Sequence, residues 1–511
     1  MPPRVLMLGW EFPPFITGGL GTACYGLVKA MDRAGMRVSF VLPKSVPSST
    51  VEGADRVTLV SPASDLGDPL PQFDSHHRSM HAPGTNGPAP AAGFQPISDV
   101  EIVKETVNRI RRVFENVEFV DLPMQAGSNY ESQHPQNPLL RRLLEERFLD
   151  QRRLEILLRS GGLDEAEAET DMAALESALP ELPPKEAATM SAREAQSGDY
   201  GGDMIAQAQA YASFCLEVAK RTDFDVVHAH DWLTYPAGLA VSRFTGKPLV
   251  VHVHSTEFDR SGEHVNQAQY NIERRGMHGA MKVVAVSQLT KNTCVARYGV
   301  PESKVEVVYN GVELDPVEKG VPTIETRDKI VLYFGRITMQ KGPEYFVHAA
   351  KRVLDVMDDV KFVVAGSGDL ASSMIEMAAN LGIGHKVLFT GFLRGNDIRR
   401  VFRIADLYVM PSVSEPFGIA PLEAMSHDVP VLISKSSGVS EVLIHALKVD
   451  FWDVEEMANK IVAVLRHPPL QKTLQNNGRF EVRALTWDGA AHRCLQIYDR
   501  ILLDTGVTLP K

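Results

Sequence analysis

One unit recurs along this chain: a short apolar run rich in β-branched residues, a glycine-bearing loop, then helical spacing. It first appears as Arg4 to Gly9 (RVLMLG), the loop WEFPPFITGGLG, and a helix over Thr22 to Ala34 marked by Ala23, Leu27, Ala30 and Met31. A second strand, Arg37 to Pro43, follows at once. Strand, loop, helix and strand so close together make a βαβ unit of the nucleotide-binding type. Further strands are predicted at Phe224 to His230, Lys247 to His254, Lys282 to Val286 and Lys304 to Val308. A second series runs through Ile330 to Phe334, Lys361 to Ala365, Lys386 to Thr390, Ala405 to Met410 and Val429 to Ile433. Between the series, Glu313 to Asp328 carries Pro316, Gly320 and Pro322 and has the composition of a linker. The chain therefore reads as α/β, with two Rossmann-like doubly wound domains over 1–312 and 329–486. Helices are expected at Val454 to Leu465 and Trp487 to Leu503, the last (487–511) packing back on the first domain.

A length of 511 residues exceeds what one core organises, in keeping with two domains. The stretch from about 51 to 202 breaks the alternation. Ala82 to Pro96 is rich in Pro, Gly and Ala, and Gly161 to Gly202 is acidic with PELPPK inside. Within it, Val100 to Val120 reads as a helix then a strand, and Leu139 to Leu158 as a charged helix. The stretch is read as a large insertion in the first domain. The net charge of −11 gives no general footprint for nucleic acid or an anionic membrane. The four cysteines are far apart and form no metal or disulfide pattern, which suits a reducing cytoplasm. The apolar run before Trp10 is too short for a signal-peptide core, and no run approaches a membrane span.

The densest chemistry lies in Pro411 to Glu441 (PSVSEPFGIAPLEAMSHDVPVLISKSSGVSE). Glu415 and Glu423 flank Pro416, Gly418 and Pro421, a turn feeding a helix. Helix N-terminal amides attract an anion, and carboxylates accept hydrogen bonds from hydroxyls, so a sugar joined to a phosphate suits this loop. Arg336 follows a strand, and Lys341 lies five residues on. Two cations there neutralise a diphosphate, the arginine as a fork and the lysine as a point charge. Each alone is ordinary surface chemistry; the combination with glycine loops and both glutamates on one sheet carries the signal. Thr17 to Gly21, with Gly18 and Gly19, lets backbone amides approach a ligand. Gly366 ends another strand. His230, Asp231, His252, His254 and Glu257 lie at or beyond strand C-termini, where open parallel sheets bind ligands. A metal reading would use His252 and His254, but no third ligand sits at a recognisable spacing, so no metal site is expected. His252 reads instead as a packed, hydrogen-bonded core residue.

Taken together, these pieces resemble the retaining glycosyltransferases of family 4, kin to bacterial glycogen and starch synthases. The resemblance rests on GGLG (Gly18 to Gly21), HAHDW (His228 to Trp232), HVHSTEFDR (His252 to Arg260), GRITMQKGP (Gly335 to Pro343), AGSGD (Ala365 to Asp369), TGFL (Thr390 to Leu393) and EPFGIAPLE (Glu415 to Glu423). It covers about 1–45 and 204–500 and omits the insertion. It implies the GT-B fold, with a starch-synthase-like first domain and a group-1-like second domain facing a cleft. It also implies roles. Arg336 and Lys341 bind the donor diphosphate, Glu415 sits by the sugar, and Glu423 binds the ribose. Gly18, Gly19, Gly366 and the amides of Gly418 and Ile419 line the donor. His254 contacts the sugar near the breaking bond. Phe392 and Leu393 hold the base, and Asp231 faces the acceptor.

The resemblance further implies a metal-independent hexosyltransferase that keeps the anomeric configuration and needs no cofactor beyond its nucleoside-diphosphate sugar, ADP-glucose or UDP-glucose. The acceptor would be a saccharide, an α-glucan first. No nucleic-acid partner and no transmembrane segment are expected, while peripheral membrane contact and oligomeric state stay open. Two departures separate the chain from glycogen synthases: Ile16 stands where those enzymes carry a lysine, and Glu423 is present where they usually lack it. Both place it nearer family 4 proper, with polysaccharide, lipid and sugar-phosphate acceptors as alternatives. A nucleotide-sugar epimerase and a non-catalytic sugar-nucleotide-binding protein are the competing readings.

Overall fold

The computed structural model describes residues 2–12, 18–43, 57–62, 117–122, 204–314, 328–393 and 395–505. Two sheets form, each wholly parallel. The first joins β1 (Arg4–Leu8), β2 (Arg37–Val41), β3 (Val57–Pro62), β4 (Val117–Leu122), β5 (Val226–His230), β6 (Leu249–Val253), β7 (Lys282–Ala285) and β8 (Val305–Val307). Their spatial order is β4-β3-β2-β1-β5-β6-β7-β8. The second joins β9 (Lys329–Phe334), β10 (Val360–Ala365), β11 (Val387–Gly391), β12 (Leu407–Met410), β13 (Val431–Ser434) and β14 (Leu447–Val449), in the order β11-β10-β9-β12-β13-β14. β5, β6, β12 and β13 are buried at every position, because helices cover both faces of their sheets.

One expectation changes here. Two strands inside the 51–202 stretch belong to the first sheet. β3 pairs in parallel with β2 through Val38↔Val57 to Val41↔Val60, and β4 continues through Val57↔Val117. At least these two segments therefore extend the fold. The Ala82–Pro96 loop, the Leu139–Leu158 helix, the acidic Gly161–Gly202 stretch and most of the 313–328 linker lie outside the described residues.

Strand order places the site. In open parallel sheets a crevice forms where the order of connection reverses. In the second sheet that point lies between β9 and β12, whose following loops carry Arg336 and Glu415. In the first it lies between β1 and β5, followed by the glycine loop and by Asp231.

The last described helix returns to the first sheet. The Trp487–Asp504 helix packs against the Gly19–Arg33 helix, burying Trp487, Ile497, Tyr498, Ile501 and Leu502 with Val5, Met7 and Leu27. Full burial of side chains this size contributes about 1.5–3 kcal/mol each. Gly26 makes room for the indole of Trp487: a Cβ at Gly26 would lie 2.3 Å from it. The 308–314 and 483–487 segments run side by side, with Val312 N donating to Leu485 O at 3.0 Å.

Candidate active site

Glu415 is buried on the loop after β12, and its Oε2 accepts from Lys341 Nζ at 2.6 Å and from Ser412 Oγ at 3.2 Å. The backbone fixes this carboxylate from both sides. Glu415 N donates to Ser436 O, and Gly438 N donates to Glu415 O. Gly418 takes φ +106, and a Cβ there would come within 3.2 Å of Glu415 Cγ, so glycine is required under the carboxylate. Lys341 ends a single 3-10 turn over Met339–Lys341, just before the Pro343–Leu354 helix. Arg336 is exposed beside them, and its guanidinium makes no ion pair among the described residues. The two cations and Glu415 thus share one crevice edge: lysine and glutamate are paired, and the arginine faces outward.

Glu423 sits in the first turn of the short Ala420–Ser426 helix, half-buried, and its carboxyl makes no hydrogen bond among the described residues. Burial pushes its pKa up to about 7. Gly418 and Ile419 lead into the same helix. Gly366 follows β10 with φ +149, and a Cβ there would fall 1.8 Å from Gly335 O, so the β9 and β10 loops meet backbone to backbone. Phe392 is exposed and Leu393 half-buried after β11. Across from them, Gly18 and Gly19 begin the Gly19–Arg33 helix. Among the described residues, a Cβ at either would meet nothing within 4 Å, so no described neighbour requires glycine there. Ile16 lies outside the described residues.

On the first sheet His254 is half-buried, and its Nε2 lies 2.9 Å from His230 Nδ1 in a hydrogen bond. Burial pushes its pKa down to about 3, so the ring is neutral. Asp231 adopts φ +60, and its Oδ1 accepts from His254 N at 2.7 Å and Ser255 N at 3.3 Å. Burial raises its pKa to about 7, opposed by those N–H groups and by Arg260. The buried Asp231 carboxyl therefore holds the end of β6, and with it His254.

Several contributors are not legible as such in the sequence. Ser414 Oγ donates to Asp259 Oδ1 at 2.7 Å, joining the Glu415 loop to the first domain, while Asp259 Oδ2 accepts from Thr256 N and Oγ1. Glu441 accepts from Gln288 N at 2.8 Å and Leu289 N at 2.7 Å, so a side chain of one domain caps the Gln288–Tyr298 helix of the other. Arg260 lies among Glu257, Glu273 and Ser255 Oγ. His252 departs from expectation: it is buried, but neither ring nitrogen has a hydrogen-bond partner among the described residues. The spacing argument against a third metal ligand also fails in space, because His228 and His230 stand on the paired strand beside His252.

Comparison with known proteins agrees in kind over residues 4–69 and 201–480. Residues 316–480 match the model for glycosyl transferases group 1, 201–316 that for glycosyltransferase family 4, and 4–69 that for the starch synthase catalytic domain. An uncharacterized glycosyltransferase, MJ1607, of Methanocaldococcus jannaschii is 31% identical over 296 residues, covering 54% of this chain and 75% of that protein. The sucrose-phosphate synthase of Thermosynechococcus elongatus superposes with a TM-score of 0.60 at 17% identity, over 98% of this chain and 99% of that one. Anabaena HepE, solved with UDP-glucose, superposes at 0.57 with 15% identity, over 98% and 100%.

Proposed function

Because this chain belongs to the family 4 glycosyltransferases, with the GT-B fold and starch-synthase kinship, we propose that it transfers a glucosyl group from a nucleoside-diphosphate glucose to a saccharide acceptor. The proposal includes retention of the anomeric configuration and no divalent cation at the diphosphate. The observation that carries it is the crevice edge between β9 and β12, where the Lys341–Glu415 pair stands beside the outward Arg336.

As the C1–O bond of the donor breaks, its electron pair passes to the diphosphate, and positive charge builds on the sugar ring. Arg336 and Lys341 meet the first charge. Glu415, already held between Lys341 and Ser412, meets the second. Fixed charges aimed where charge develops are the largest stabilisation such a site offers. Two cations fill the place of a metal. The acceptor oxygen bonds C1 on the face the diphosphate leaves, and its proton passes to a departing phosphate oxygen. Glu423 accepts from the ribose hydroxyls, the Gly418 and Ile419 amides and Gly18, Gly19 and Gly366 line the donor, and Phe392 and Leu393 border the base. His254, fixed by His230 and Asp231, borders the sugar. The match of residues 4–69 to the starch synthase model favours an α-glucan acceptor.

The test is nucleotide release from a panel of UDP-, ADP- and GDP-sugars, with and without glucan primers. UDP-glucose, the ligand in the HepE structure, heads the panel. Expected is primer-dependent release, unchanged by added Mg2+ or Mn2+, giving an α-linked product by NMR. Tight nucleotide binding without release from any donor would overturn the enzymatic reading.

A further inference from the structure

The HAH of β5 and the HVH of β6 lie side by side. His230 pairs in register with His252, and His228 with Val250. Side chains alternate along a strand, so His228, His230, His252 and His254 share one sheet face with Val226 and Val250. That face lies under the Gly19–Arg33 and Trp487–Asp504 helices, whose residues share a core with those valines. The rings form a stack: His228 and His230 are 4.5 Å apart at 10°, and His228 and His252 are 5.3 Å apart at 22°.

Their hydrogen bonding is incomplete in a specific way. His228 Nδ1 bonds Tyr498 Oη, and His230 Nδ1 bonds His254 Nε2. Among the described residues, the Nε2 atoms of His228 and His230 and both nitrogens of His252 are buried without a partner. A buried polar atom left so costs about 1–3 kcal/mol, and four together call for an explanation. One nitrogen from each of His228, His230 and His252 lies within 4.8 Å of the others. Imidazoles bound to zinc at about 2.0–2.1 Å in tetrahedral array have nitrogens roughly 3.4 Å apart, so rings converging on one ion turn out of this near-parallel stack.

We propose that His228, His230 and His252 form a buried site for one late first-row divalent cation, zinc foremost. In the tautomer that protonates Nδ1 toward Tyr498 and His254, the Nε2 atoms of His228 and His230 carry lone pairs. A ligating histidine is commonly fixed in just this way, by a bond from its other nitrogen. Imidazole suits zinc and its neighbours rather than magnesium or calcium. The grouping of Cys24, His230 and His254 also meets the distance test. It is the poorer ligand set, because His254 Nε2 is already bonded to His230. The ion would fix His230, and through it the ring of His254. It is separate from any cation at the donor diphosphate, which Mg2+ or Mn2+ would serve.

The untagged full chain, stripped with a strong chelator and titrated with Co2+, tests this directly. Expected is uptake of about one equivalent per chain with the intense visible bands of a tetrahedral site, displaced by Zn2+. Zn2+ should also raise the melting temperature. His252→Gln and His228→Gln should lose the Co2+ bands while keeping the far-ultraviolet circular dichroism of the folded chain. If either variant fails to fold, X-ray absorption on cobalt-loaded wild type decides, with three imidazole ligands expected. No stoichiometric uptake, a weak octahedral spectrum, fewer than three imidazoles, or a folded His252→Gln chain with undiminished uptake would each overturn the site.

Discussion

At the residue scale the account turns on Glu415 and Glu423. Glu415 is bonded to Lys341 and Ser412, so Glu415→Gln keeps its shape and removes its charge. The variant should melt within a few degrees of wild type and lose about a hundredfold or more in kcat, as loss of a preorganised transition-state contact does. A near-normal kcat would remove Glu415 from the sugar. Glu423 carries a pKa raised to about 7 by burial. Below that value it is the neutral acid. Above it, it is an acceptor-only carboxylate, better suited to two ribose hydroxyls. UDP should therefore bind more tightly as pH rises from about 6 to about 8. Glu423→Gln should flatten that profile in calorimetric titrations. For stability the sign is opposite. Glu423 and Asp231 both have folded-state values above the ordinary carboxylate range, so their ionisation costs stability as pH rises toward 7.

At the element scale, the Glu415 loop is held by contacts from both domains. Gly438 fits against Ser287, where a Cβ would come within 2.4 Å of Ser287 Cβ, and Glu441 caps the Gln288–Tyr298 helix beside it. Glu441 is exposed, so Glu441→Ala should cost only about 0.5–1 kcal/mol, but across the cleft rather than within one domain. A small drop in melting temperature with a broadened small-angle scattering profile is expected; an unchanged profile would place domain orientation elsewhere. These couplings were not legible in the sequence, because Glu441 reads as an ordinary surface glutamate until the chain folds. The strands that end at Leu8, Phe334 and Met410 were legible, since β-branched runs closed by glycine or proline mark them. Val57–Pro62 was not, because its short run sits among Ser, Gly and Pro and becomes a strand only by pairing with β2. The grouping of the histidines was not legible for the same reason: each run is regular along its own strand, and only the pairing of β5 with β6 brings the two runs together.

At the scale of the whole molecule, two parallel sheets turn their switch points toward a shared cleft, and the chain returns to the first sheet through the Trp487–Asp504 helix. The sequence carried the two-domain outline because the alternation of strand and helix repeats on both sides of the linker. It carried Arg336, Lys341, Glu415 and Glu423 as a group because each follows a strand of one sheet. It could not carry how they divide in space: Lys341 and Glu415 bonded to each other, Arg336 apart. Both observations lead to one claim, that this crevice edge receives the diphosphate, sugar and ribose of a donor. A crystal structure with UDP-glucose, or with UDP if the sugar is lost, tests it most directly. The account predicts the diphosphate on Arg336 and Lys341, the ribose at Glu423 and the sugar between Glu415 and His254. A nucleotide bound away from the β9–β12 crevice, with Lys341 and Glu415 untouched, would contradict it.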